Sequence, residues 1–154
     1  MVKSYTDLEQ SKKLAEFLPI ESADMRYGYI APYEFSDRMY EGGYDNVPYP
    51  KDFLEKNPNF SENDYDDSLP CWSLAALLDV LPDEISTGEG YQNKYEIDIR
   101  RYYGGNNITL YQIAYGNNKG SSGSWHDMIS TSEQEKFVDV CYEMILKLHK
   151  LNLL

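Results

Sequence analysis

The densest group of chemistry-bearing residues in this chain is Ser124-Trp125-His126-Asp127. An unperturbed imidazole titrates at about 6.5, so His126 beside a carboxylate is a candidate general base. A small hydrolase using His126 and Asp127 is therefore one reading of the sequence. Such an enzyme also needs an activated nucleophile on a rigid elbow, and no Gly-x-Ser-x-Gly occurs. Trp125 reads first as a core anchor and second as a contact residue. The other histidine, His149, falls in the last turn of an expected helix, where a cation is favourable.

Glu62, Asp64, Asp66 and Asp67 could attract a hard cation. An EF-hand loop starting at Asp64 would need glycine at its sixth place and glutamate at its twelfth, where Leu69 and Ala75 stand. A solvated acidic loop is the expectation. Gly88-Glu89-Gly90-Tyr91-Gln92-Asn93 imitates a dinucleotide fingerprint, but Asn93 replaces the last glycine and no helix is expected after it. Cys71 and Cys141 are too few and too far apart for a zinc site or a disulfide framework, and read as buried thiols. The sequence calls for no metal and no cofactor.

Tyrosine is the other conspicuous resource: the chain has 15, and Tyr27, Tyr29, Tyr33, Tyr40, Tyr44 and Tyr49 crowd one stretch punctuated by proline and glycine. Tyrosine offers a large apolar body with a polar tip at low entropic cost, which suits contact surfaces. It equally suits pinning a long loop to a core. Tyr33, Tyr40, Tyr44, Tyr49 and Trp125 are the candidate binding residues.

The 154-residue chain carries 26 acidic and 14 basic side chains, a net charge of -12. Affinity for a phosphate backbone draws on clustered Lys and Arg, so direct nucleic-acid binding is not expected. The longest apolar stretch, Leu74 to Leu81, already contains Asp79 and is far short of the roughly 20 residues of a spanning helix. The amino terminus lacks the basic start and apolar core of a secretory signal, so a cytoplasmic protein without membrane contact is expected.

The elements that must position these groups read as follows. Thr6-Asp7-Leu8-Glu9 matches a capping box opening a helix from about Asp7 to Leu18, which Pro19 ends. Glu21 to Met25 suits one more helical turn. Arg26 to Pro70 reads as a long ordered excursion with short helices near Phe35 to Tyr40 and Asp52 to Lys56. A short buried helix is expected from Trp72 to Leu81. Tyr95, Ile97 and Ile99 alternate with charges, and Gly104 to Asn107 tolerate positive φ, so a hairpin is expected over Tyr95 to Tyr115. A third strand is needed, near Tyr27 to Ile30 or at Trp125 to Ile129. Gly116 to Ser124 reads as a mobile surface loop. Ser132-Glu133-Gln134-Glu135 matches a second capping box before a helix whose stripe is Phe137, Val138, Cys141, Met144, Ile145 and Leu148.

Thr6 to Leu14 leading to Ala23-Asp24-Met25, Pro70 to Leu78, and Val138 to His149 together resemble a family of small uncharacterised proteins encoded by gut bacteria and their prophages. The resemblance implies a phage or mobile-element setting and carries no activity or site residue with it.

The sequence thus predicts a single α+β domain over residues 1–154: a small antiparallel sheet packed by a long carboxy-terminal helix, an amino-terminal helix and a short central helix. The expected function is non-catalytic binding of a protein partner through a tyrosine-rich acidic surface, by a monomer or homodimer. Besides the hydrolase, an acidic DNA mimic that occupies a nucleic-acid-binding enzyme would fit the charge.

Overall fold

A buried hydroxyl at Thr6 organises the first part of the computed structural model, which describes residues 3–56, 68–118 and 123–154. The fold is α+β, with helices and antiparallel sheets. Contacts divide the chain into two compact units, Tyr5–Ala76 and the residues flanking it.

In the Tyr5–Ala76 unit, α1 (Leu8–Ala15) is capped one residue later than the sequence suggests: Asp7 accepts from the Gln10 N–H at 2.9 Å and the Gln10 side chain accepts from the Asp7 N–H at 3.2 Å. Thr6 is released from capping because it is needed inside. Its Oγ1 accepts from the Trp72 N–H at 3.1 Å and lies 2.7 Å from Ser11 Oγ. Its carbonyl accepts from the Tyr27 hydroxyl at 2.7 Å. Buried polar atoms must be paired, and here one threonine pairs with Ser11 on the adjoining α1 and with the distant Tyr27 and Trp72. Burial pushes the Tyr27 phenol above its ordinary range, keeping it a neutral donor.

The Glu21 to Met25 stretch makes a 3-10 turn at Ile20–Ser22 and then enters β1 (Met25–Tyr27). Two short ribbons follow, β2 (Tyr29–Ile30) with β5 (Gly43–Tyr44), and β3 (Tyr33–Phe35) with β4 (Arg38–Tyr40). The second replaces the helix expected over Phe35 to Tyr40: Ser36 and Asp37 both take positive φ, 53° and 60°, as a tight hairpin turn requires. After β6 (Tyr49–Pro50) and α2 (Lys51–Lys56), β7 (Leu69–Cys71) closes an antiparallel sheet in the order β6-β1-β7. Pro50 and Pro70 lie on its two outer strands, where a missing N–H is tolerated. α1 packs on β7 over Tyr27, Leu69 and Cys71. The acidic run at Glu62 to Asp67 lies outside the described residues.

The central helix α3 (Leu74–Val80) starts two residues later than expected, behind Ser73, whose Oγ accepts from the Ala76 N–H at 3.3 Å. The boundary between the units falls within it. In the other unit β8 (Glu84–Ser86), β9 (Lys94–Tyr103), β10 (Thr109–Asn117) and β11 (His126–Ser130) form an antiparallel sheet in the order β11-β10-β9-β8. The expected hairpin is present, turning through Asn106 and Asn107 at φ 61° and 60°. Of the two places proposed for a third strand, the one at Trp125 to Ile129 is occupied; Tyr27 to Ile30 pairs elsewhere. Gly116 and Asn117 belong to β10, and the middle of the expected loop, residues 119–122, lies outside the described residues.

The helix α4 (Phe137–Lys150) packs on β10, with Phe137 stacked on Tyr111 at 5.0 Å and Val138, Cys141, Met144, Ile145 and Leu148 fully buried. The Ser132 capping box does not form: α4 begins behind Lys136, without a side-chain cap. Those residues have another use. Tyr111 and Gln134 exchange backbone hydrogen bonds of 2.8 and 3.0 Å, and Thr131 donates its N–H to Ile113 at 2.9 Å, so this segment continues the pairing of β10 beyond β11. Glu143 on α4 holds it there, accepting from Ser132 N, Ser132 Oγ and Gln134 Nε2 at 3.0, 2.9 and 2.8 Å. Burial alone would raise the Glu143 carboxyl, but Lys147 at 2.8 Å and the Ser132 donors outweigh it and hold it below the ordinary glutamate value.

Substitutions at buried Thr6 and half-buried Glu143 test these pairings. Thr6→Val leaves the Trp72 N–H without its acceptor and the Ser11 hydroxyl without its partner and will cost about 1–3 kcal/mol in urea unfolding, while Thr6→Ser stays close to wild type. A carboxyl whose native pKa is depressed adds stability above its unfolded value, about 4.3 for Glu, and that stability is lost as pH falls through the native value. Glu143→Gln will therefore be less stable than wild type at neutral pH, with the gap narrowing on acidification below that value; denaturation curves at stepped pH measure it.

Candidate functional site

Two groups of candidates separate in the structure. In the Tyr5–Ala76 unit the tyrosines divide by role. Tyr44 is half-buried, packs on the Tyr27–Leu69–Cys71 core and meets Tyr29 edge-on at 5.2 Å. Tyr49 is half-buried and stacks on Phe53 at 5.7 Å. Tyr33 and Tyr40 instead face each other across the β3–β4 ribbon, stacked at 4.9 Å with rings 7° apart, and are 51% and 40% exposed. Glu34 and Met39 pair on the opposite face of that ribbon, and Met39 is 73% exposed. Side chains alternate along a strand, so this ribbon offers large side chains to solvent on both faces.

Around the ribbon Glu34, Asp37 and Glu41 are exposed, against the single cation Arg38. Ile30, Val47 and Phe53 of the same unit are exposed as well. Gly42 lets the chain return close by: a Cβ there would lie 2.4 Å from the Ile30 carbonyl and 2.6 Å from Pro32. Sequence reading found the tyrosines but missed Met39, Ile30 and Phe53, because isolated apolar residues in an irregular stretch carry no periodicity.

In the other unit Trp125, His126 and Asp127 lie at the start of β11. The Arg100 guanidinium grips Asp127 with both terminal nitrogens, at 2.7 and 2.5 Å, and its Nε donates to Asp98 at 2.6 Å. Asp127 also accepts from the Trp125 indole N–H at 2.7 Å. Gln112 joins the same face, accepting from the Tyr102 hydroxyl at 3.1 Å and donating to the Thr131 carbonyl at 3.0 Å. The Arg100 pairing holds the Asp127 carboxyl below its ordinary value, against burial and with help from Trp125. Arg100 is in turn held more firmly protonated, first by Asp127 and then by Asp98.

This arrangement does not join His126 to Asp127. His126 is exposed, and as the next residue along an extended strand it projects away from the face on which Asp127 meets Arg100. A bidentate guanidinium pair engages both oxygens of the carboxylate that a catalytic imidazole would need. Trp125 is not the core anchor its size suggested: it is half-buried and lies against Gly116, where a Cβ would fall 2.5 Å from the indole nitrogen and 2.6 Å from the His126 carbonyl. Gly116 also marks the bulge between β10 and β11.

Both cysteines are buried free thiols. Burial raises each, Cys141 to about 12. Among the described residues no group of three or more His, Cys, Asp or Glu is placed to hold a metal ion, and no helix is long and apolar enough to cross a membrane. Compared with protein-family models, curated proteins and solved structures, the chain matches none.

Gly116→Ala will force Trp125 and the β11 backbone apart, costing about 1–3 kcal/mol. Trp125 emission should shift red in the folded variant, because the indole loses its seat on the strand; unchanged emission and stability would show that the bulge absorbs the methyl group.

Proposed function

We propose that this protein is a non-catalytic binding module that engages a protein partner through the aromatic, acidic β3–β4 ribbon and its surroundings. The observation that carries the reading is the exposed Tyr33–Tyr40 stack with exposed Met39 behind it. Tyrosines that only pin a loop lose their surface to the core, as Tyr44 does. Tyr33 and Tyr40 keep theirs, and aromatic anchors of this kind supply much of the energy of protein interfaces. Asp127 committed to Arg100 and the separate His126 give the hydrolase reading no support. In this reading the protein works in the cytoplasm, as a monomer or homodimer of phage or mobile-element origin, without cofactor, membrane or direct nucleic-acid contact.

A photoreactive residue at Met39 is expected to capture a discrete partner from the native host extract, whereas the same residue at exposed Lys12 on α1 captures none. The double variant Tyr33→Ala/Tyr40→Ala, which leaves the buried tyrosines intact, should weaken that partner's binding at least about tenfold, the loss of one interface anchor. A partner bound equally well by the folded double variant would end the proposal.

A further inference from the structure

The sheet of the second unit has an edge that is only half covered. β8 pairs with β9 over Lys94, Tyr95 and Glu96, and the Ile97 N–H donates to the Asp83 carbonyl at 3.1 Å. Beyond that point β9 continues to Tyr103, paired to β10 on one side and, among the described residues, to nothing on the other. The outward groups can be assigned by parity. The Asn93 carbonyl accepts from Thr87 at 3.0 Å and Ile97 donates to Asp83, so odd-numbered peptide groups face the β8 side. Ile99, Arg101 and Tyr103 therefore present their N–H and C=O groups along an open edge about 13 Å long.

The side chains of these residues share one face of the sheet. Ile99 is 48% and Tyr103 79% exposed, and the Arg101 guanidinium lies over the Tyr103 ring at 5.2 Å. On the opposite face Arg100 is neutralised by Asp98 and Asp127. Arg101 thus carries the cationic character of the edge within a protein of net charge -12.

We propose that this edge is a strand-addition site for an extended segment of another protein that places an acidic residue opposite Arg101 and β-branched or apolar residues opposite Ile99 and Tyr103. Main-chain hydrogen bonds would supply affinity and the alternate side chains specificity. A second copy of this chain supplies no carboxylate to Arg101, because the odd-numbered residues of β9 are Tyr95, Ile97, Ile99, Arg101 and Tyr103. Two-fold antiparallel pairing must set odd residues against odd ones, and an axis at Arg101 opposes Arg101 to itself. An axis at Arg100 sets Ile99 against Arg101, and an axis at Ile99 drives Tyr103 against Tyr95, whose edge β8 already occupies.

The competing role for Arg101 is that of an edge guard that discourages any incoming strand, and the experiment separates the two. The probe is acetyl-Val-Thr-Glu-Thr-Val-amide, titrated into the full chain while backbone amide exchange is followed by NMR. In the free protein the Ile99, Arg101 and Tyr103 amides should exchange fast and those of Asp98, Arg100 and Tyr102 slowly. Peptide at about 2 mM should slow the first set at least tenfold, and the Glu→Lys peptide should bind about fivefold more weakly. Methylating the Glu nitrogen, which faces β9, should abolish binding, and methylating a Thr nitrogen, which faces away, should not. Arg101→Glu should reverse the preference between the two peptides, and Arg101→Gln, the milder change, should erase it. No protection at that concentration, binding that survives methylation at Glu, or a preference indifferent to Arg101 overturns the proposal.

Discussion

Peptide groups withdrawn from water must be paired, and in the second unit this requirement falls hardest on β10. Ile113, Ala114 and Tyr115 are fully buried, so both edges of the strand need partners along their length. β9 serves one edge throughout, but β11 reaches only as far as Ala114. Thr131 and Gln134 complete the other edge, and Glu143 holds Ser132 and Gln134 there from α4. Helix, strand and connecting segment are thus joined through one carboxylate. The requirement relaxes at β9, and there, among the described residues, an edge is left open.

The tyrosines show how one residue type is put to opposite ends. Tyr27 and Tyr115 are buried, and each spends its hydroxyl on a main-chain carbonyl, Thr6 at 2.7 Å and Pro82 at 2.5 Å. A buried phenol without such an acceptor would be costly. Tyr33, Tyr40 and Tyr103 keep their rings in solvent, stacked on each other or under a guanidinium. Composition reports their sum, and only the fold distinguishes contact surface from scaffold.

What was legible in the sequence followed periodicity. The stripe from Phe137 to Leu148, the hairpin between β9 and β10 and the central helix, of which only Ala76 and Leu77 are buried, are read from spacing, composition and turn residues. What was not legible depended on partners far along the chain. Thr6 looks like a cap until Trp72, Ser11 and Tyr27 are brought to it, and Ser132 looks like one until Glu143 is. Ile99 alternates perfectly with its neighbours yet lies exposed, because period two says which face a residue takes and not whether that face is covered. Of the candidate site, the tyrosine stretch was visible from density alone. The commitment of Asp127 to Arg100 joins two strands that the local sequence does not link.

The two thiols have a practical meaning that their inertness at first conceals. Cys71 belongs to one compact unit and Cys141 to the other, and both are sealed from solvent. A thiol so placed reacts with an alkylating reagent only when its surroundings open. The wild-type chain therefore carries its own pair of clocks: the labelling rate of each cysteine times the opening of the unit around it. Whether those rates coincide or differ reveals, without a single substitution, whether the two units unfold as one cooperative body or independently.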